Sequence, residues 1–207
     1  MQRILAAVLA VMLSATAHAD EAAAARLNVV LTGLASMQAD FSQTTRDSRG
    51  QLLQGQGGRM SVKRPGLFRW EVATPSVQVV TTNGSVLWIY DPDLKQVTKQ
   101  KLDSQVGNTP ALLLSGDPRK LADAFDITEE KAGRNEQVFL LRPRANDALF
   151  DHLRVRFAKG QLQQMQLADS LGQNTDIRFS KIKVNPALAS SLFDFTPPKG
   201  VDVIDEI

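Results

Sequence analysis

The chain contains no cysteine and only two histidines. Without cysteine there is no disulfide to staple the fold and no thiolate to hold a metal or attack a substrate. Nor can a lipid be attached to an N-terminal cysteine. One histidine, His18, lies in the N-terminal leader described below. His152 therefore stands alone, on the polar side of an expected strand, and offers neither a metal cluster nor the base of a triad. Charge of one sign is also missing. Twenty-four Lys and Arg face 22 Asp and Glu, interspersed along the chain. That excludes the basic stripe of a nucleic-acid binder, and no nucleic-acid partner is expected.

Catalytic motifs are absent too. There is no Gly-x-Ser-x-Gly, no phosphate-binding glycine loop and no His-Glu-x-x-His. Glu129 and Glu130 are neighbours on an expected strand, so they point to opposite faces and cannot act as a pair. Asp91, Asp93 and Asp103 lack the spacing of a calcium loop and read as turn residues. No enzyme activity, metal or cofactor is expected.

The one strong address is at the start. Met1-Gln2-Arg3 is positive, Ile4–Leu13 is apolar but short, and Ala17-His18-Ala19 is a small-x-small cleavage pattern. Residues 1–19 read as a secretory signal peptide and residues 20–207 as one domain of a size that needs no staples. No later apolar run is long enough to span a bilayer, so stable membrane insertion is not expected.

Beyond the leader the hydrophobic period is first helical. Leu27, Val30, Leu31 and Leu34 recur at i, i+3, i+4 and i+7, which predicts a helix over 21–35. From Met37 the period becomes two. Strands are expected at 37–46, 52–64, 67–73, 77–82, 85–91 and 96–102. The Pro65-Gly66 and Asn83-Gly84 pairs supply tight turns. Gly55, Gly57 and Gly58 signal a bulge or sharp curvature. Lys95, Lys99 and Lys101 suggest a solvated sheet edge. Then come Thr109 as N-cap, Pro110 and the run Leu112-Leu113-Leu114, a short apolar helix that must lie on something. Asp117-Pro118 starts another. Five more strands are expected near 126–131, 137–142, 149–158, 161–169 and 175–184, followed by a short helix capped by Asn185-Pro186. The fold class is α+β: ten or eleven strands in a strongly bent antiparallel sheet, with few helices against one face.

Two features stand out from that plan. Arg64 shares a strand face with Met60 and Val62, at the end of an apolar surface. A charge there either reaches the rim and water or holds something. There is also more apolar surface than a plain sheet needs. Phe68, Trp70 and Val72 share one face, Val86, Trp88 and Tyr90 another, with Leu87 and Ile89 behind them. Residue pattern alone leaves two readings open: ordinary core, or a concave sheet closed by helices over a cavity for an apolar ligand.

Several stretches, taken together and in order, carry a resemblance. They are Gln54-Gly55-Gln56-Gly57, Lys63 to Trp70, Asn83-Gly84 followed by Leu87-Trp88-Ile89-Tyr90-Asp91-Pro92, Gly107-Asn108-Thr109-Pro110, and Phe195 to Val201. With the leader and its missing lipidation cysteine, they resemble the periplasmic outer-membrane lipoprotein carrier family, LolA. The resemblance implies an incomplete β-barrel of about 11 strands, with a lid of short α-helices over a hydrophobic cavity. It implies a monomeric periplasmic carrier whose cargo is triacylated lipoproteins. Such a carrier takes them from the inner-membrane ABC transporter LolCDE and delivers them to the outer-membrane receptor lipoprotein LolB. In the family the arginine matching Arg64 latches the lid through backbone carbonyls, here expected around Leu31 and Leu114-Ser115. The aromatic matching Phe68 is expected at the mouth, where partners dock. On this reading the acyl-chain cavity is lined by Leu27, Val30 and Leu34 of the helix and Leu112 and Leu113 of the lid. Its sheet wall is formed by Met60, Val62, Phe68, Trp70, Val72, Trp88 and Tyr90. An LolB-type receptor would need the missing cysteine, and a two-domain sensor of the same fold would need more chain.

Overall fold

A computed structural model describes residues 9–101, 110–146, 148 and 150–207, with side chains from residue 21 onward and excluding that of Pro110. Helix α1 spans Leu9–Thr32, so it starts earlier and stops sooner than the helix expected from its apolar stripe. Gly33 ends it, closing the last turn through Gly33 N–H to the Val29 carbonyl (3.1 Å). The expected cleavage point after Ala19 falls inside this helix. The first leader residues and the Gly107-Asn108-Thr109 cap lie outside the described residues.

Six strands then form a meander: β1 (Ser36–Arg46), β2 (Leu52–Lys63), β3 (Leu67–Thr74), β4 (Gln78–Asn83), β5 (Val86–Asp91) and β6 (Gln96–Lys101). The lid follows as a 3₁₀ helix, Pro110–Leu114, a second at Pro118–Lys120 and a single α-turn, α2 (Leu121–Ala124). Five residues are too few to stabilise an α-helix alone, and the tighter turn suits so short a piece. Asp117 caps the second turn, accepting from the Arg119 N–H at 3.0 Å. A second meander runs through β7 (Phe125–Glu130), β8 (Glu136–Pro143), β9 (Phe150–Ala158), β10 (Gln161–Asp169) and β11 (Asn174–Val184). β11 returns to pair with β1. The tail adds β12 (Asp202–Asp205), parallel to β6.

The result is one twelve-stranded sheet in the order β12-β6-β5-β4-β3-β2-β1-β11-β10-β9-β8-β7. Its two edges, β7 and β12, do not pair with each other, so the barrel stays open. β6 is therefore not the solvated edge its lysines suggest. The tail covers it, and Lys99 Nζ binds Asp205 at 2.9 Å.

Period-two alternation puts Met37, Ala39 and Phe41 of β1, Met60 and Val62 of β2, and Phe68, Trp70 and Val72 of β3 on the concave face, all buried. Leu153, Val155 and Phe157 of β9 join them from the other meander. The sheet bends at Gly58, where the β2–β3 register shifts. A Cβ there would lie 1.8 Å from the Glu71 carbonyl oxygen and 3.0 Å from the Phe41 ring. With only hydrogen at that point, Phe41 lies against Trp70 with centroids 3.6 Å apart.

Asn185 does not cap a helix. It sits at φ +54, a left-handed conformation asparagine tolerates. Its Oδ1 accepts from the Ser36 N–H and its Nδ2 donates to the Gly33 carbonyl. The residue that ends β11 thus fixes the corner between α1 and β1. Only Ser190–Phe193 is helical beyond it, as a 3₁₀ turn.

Candidate functional site

The end of β2 is where α1, the lid and the C-terminal segment meet. Lys63 Nζ donates to the Leu188 carbonyl of the C-terminal segment at 2.9 Å. The Arg64 N–H donates to Ala35 O (2.9 Å), and the Gly66 N–H to Ser115 O in the lid (2.9 Å). The Arg64 side chain turns to the C-terminal end of α1, where Nη1 donates to the carbonyl of Leu31 in the last turn and, at 2.8 Å, to that of Leu34 in the loop just beyond. The last carbonyls of a helix lack intrahelical partners and carry its negative dipole end, so a guanidinium fits there.

The fit is partial. Arg64 Nε is buried without a partner among the described residues, and every acceptor Arg64 uses is a neutral carbonyl. Burial pushes its pKa down to about 10, with the charge of Asp117 acting the other way. Arg64 stays cationic at neutral pH, but closing over it has a cost that no bound carboxylate offsets. Asp117 is itself held down to about 2, chiefly by the hydrogen bond from the Arg119 side chain.

Of the expected latch positions, Leu31 receives the arginine. Leu114 and Ser115 do not. Ser115 is held instead by the backbone of Gly66, a bond that no side-chain change at position 64 touches. The turn can make it because Gly66 adopts φ +75 and stacks on Gly84, where a Cβ on Gly66 would lie 3.0 Å from the Gly84 Cα.

Beneath Arg64 the interior is apolar and closely packed among the described residues. Leu112, Leu114 and Ser115 of the lid are buried, and Leu113 is half-buried against the core. Leu27, Leu31 and Leu34 fill the trough from above, with Val30 packed at its margin. Among the described residues a space of about 10 Å³, the room of one water, lies between Leu27, Leu31, Leu113, Leu114 and Leu121 on one side and Leu141, Leu153, Val155 and Met165 on the other. Four of those nine residues come from the second meander, which is not part of the cavity expected from the sequence. Its signal was present in the alternation of 153, 155 and 157. A roomier depression of about 340 Å³ lies on the outer face among Glu130, Glu136, Arg154 and Arg156. Those charges offer an acyl chain nothing.

Met60, Val62, Phe68, Trp70 and Val72 stand on the inner face as expected from alternation. Trp88 and Tyr90 do not. Trp70 lies opposite Val80, and Val80 opposite Ile89, so the odd-numbered positions of β5 face inward. Trp88 and Tyr90 project outward and pack on Phe195, at 5.8 and 5.7 Å between centroids. Thr81, also outward, lies 3.2 Å from the carbonyl of fully buried Phe193. This strand is covered twice, by the core within and by the C-terminal segment without. Phe68 has no exposed surface at all, so in the closed molecule it is wall rather than docking contact. Asp91 accepts from the Leu94 N–H at 3.1 Å, as a turn residue does.

Residues 32–196 match the family model described as outer membrane lipoprotein carrier protein LolA. An outer-membrane lipoprotein carrier protein of Pseudomonas paraeruginosa is 48% identical over 191 residues, covering 92% of this chain and 91% of that one. Its counterpart in Azotobacter vinelandii is 46% identical over 190 residues, 92% and 91% of the two chains. Among solved structures, an uncharacterised conserved protein of Thermus thermophilus aligns over 88% of this chain and 99% of its own, with a TM-score of 0.58 and 15% identity. A LolA superfamily protein of Nitrosomonas europaea aligns over 86% and 98%, with a TM-score of 0.51 and 12% identity. These two likenesses concern the fold.

Proposed function

The chain belongs to the outer membrane lipoprotein carrier protein family, LolA, and from that premise we propose that it carries lipoproteins across the periplasm with their acyl chains inside the sheet. Residues 1–19 direct export and are removed. The described core residues of α1, Ala23, Leu27 and Leu31, all lie beyond the cut. Cargo is taken from the inner-membrane LolCDE transporter and passed to the receptor lipoprotein LolB. The protein itself performs no chemistry.

The observation that carries this reading is an apolar interior closed by a charge that holds only backbone carbonyls. Burying a CH₂ group is worth about 0.8 kcal/mol, so a sixteen-carbon chain carries on the order of 12 kcal/mol. That is ample to open a closed interior. A latch of charge-assisted hydrogen bonds, worth roughly 1.5–3 kcal/mol, closes it again once the chain has left. Opening takes α1 off Arg64 and the lid off the second meander, and exposes Phe68 and Trp70 as the wall that receives the chain. Closure then offsets part of the cost of release, so handover follows a gradient of affinity and needs no nucleotide.

The test is to purify the protein from the periplasm of a host expressing the full chain and to identify what comes with it. A soluble one-to-one complex with a triacylated lipoprotein is expected. Recovery free of lipoprotein, together with failure to bind a fluorescent sixteen-carbon fatty acid, contradicts the reading.

A further inference from the structure

Glu129, which strand alternation separates from its neighbour Glu130, holds an unusual position. It lies on the concave face of β7, directly opposite fully buried Phe139 and in line with Phe125 and Ile127. Glu130, one residue on, faces outward and holds Arg154 at 2.8 Å. A carboxylate on an apolar face needs a partner. Glu129 finds it in Arg26 of α1, whose Nε donates to its Oε2. The Glu129 side chain is 23% exposed and that of Arg26 49%.

The arrangement repeats what Arg64 does on the other side. Arg64 stands at the end of β2, near the middle of the sheet, while Glu129 stands on β7, one of its free edges. Each is a charge at the margin of the concave face, and each makes a hydrogen bond to a residue of the same helix, Arg64 to the Leu31 carbonyl and Glu129 to the Arg26 side chain. α1 is thus strung between two polar anchors, with Ala23, Leu27 and Leu31 seated in the trough between them. The opening move proposed above breaks both.

We infer that the Arg26–Glu129 pair is a second clasp on α1, separate from Arg64, and that it sets how readily the open edge at β7 admits an acyl chain. This rests on the carrier reading. The two residues are positioning residues: they hold the helix and do not touch the cargo.

The test uses Arg26→Glu, Glu129→Arg and the double exchange, with Arg26→Met and Glu129→Gln as milder changes. Two readouts are taken on protein exported from the full chain: amide hydrogen exchange of residues 23–32 without cargo, and uptake of a dansylated sixteen-carbon fatty acid. Partly exposed pairs contribute little, so each single change should speed exchange and raise uptake by about two- to fivefold. The double exchange should restore both. Exchange of α1 amides unchanged in Arg26→Met and Glu129→Gln overturns the inference, as does a double exchange that behaves like the singles in a protein that still folds. If exchange responds while no variant, nor the parent, takes up the probe, the clasp stands and the carrier reading fails.

Discussion

Arg64 Nη1 donates to the Leu34 carbonyl at 2.8 Å, joining the end of β2 to the loop after α1 across 30 positions of sequence. The same nitrogen reaches the Leu31 carbonyl. Replacing Arg64 with Leu removes both bonds and the buried charge together. The closed state loses about 1.5–3 kcal/mol. Apparent affinity for an acyl probe should rise by roughly tenfold or more, while transfer of bound lipoprotein to the receptor slows. Titration with a fluorescent fatty acid and a transfer assay read the two effects separately. Loading and delivery at the parent rate would show that Arg64 is no latch.

Because Gly66, not Arg64, holds Ser115, the lid and the helix answer to different changes. Gly66→Ala forces a side chain into φ +75 and against the Gly84 backbone. A left-handed non-glycine residue costs about 1–2 kcal/mol before that contact is counted. The midpoint of urea unfolding should fall accordingly. Exchange of the Leu112–Ser115 amides should quicken more than that of α1.

The two tryptophans separate the faces of the sheet. Trp70→Ala opens a hole beside Phe41 and should cost about 3–5 kcal/mol, with altered acyl binding. Trp88→Ala loses its ring contact with Phe195, worth about 0.5–1.5 kcal/mol beyond area. It should loosen the C-terminal segment and leave acyl binding unchanged. Denaturant unfolding and probe titration on both variants check this. A binding loss in the Trp88 variant alone would place the chain on the wrong face.

Closing should not respond to pH between 5 and 8. Arg64 is lowered to about 10, which disfavours the charged closed form, so closure strengthens only as pH rises through about 10 toward the ordinary arginine value. Asp117 is lowered to about 2, so its contribution is complete above the ordinary aspartate value and fades only as pH falls toward 2. Both windows lie outside the range. Probe affinity measured at pH 5, 6, 7 and 8 should be flat.

Much of this is legible in the sequence alone. Alternation of Met37, Ala39 and Phe41, and of Phe68, Trp70 and Val72, assigns the inner face because each strand has one apolar side. β5 has two, and alternation alone cannot choose between them. Only the register carried from Trp70 through Val80 to Ile89 does so, and it turns Trp88 and Tyr90 outward. The role of Phe193 and Phe195 depends on a segment some hundred positions away in sequence returning over the outer face. The Arg26–Glu129 pair likewise joins residues 103 positions apart. No local pattern encodes such meetings. Lys99 read as an edge residue because nothing local announces that the tail will pair beside it.

Carriage as proposed requires a packed interior to open around an acyl chain by the movement of α1. The absence of cysteine allows clean labelling. Spin labels introduced at Val29→Cys, on the exposed side of α1, and Leu53→Cys, on the exposed start of β2, report the helix against the sheet. Distances between them should form one narrow distribution in the unloaded protein and shift by several ångströms when triacylated lipoprotein is bound. A stoichiometric complex in which that distribution does not change would contradict opening by α1.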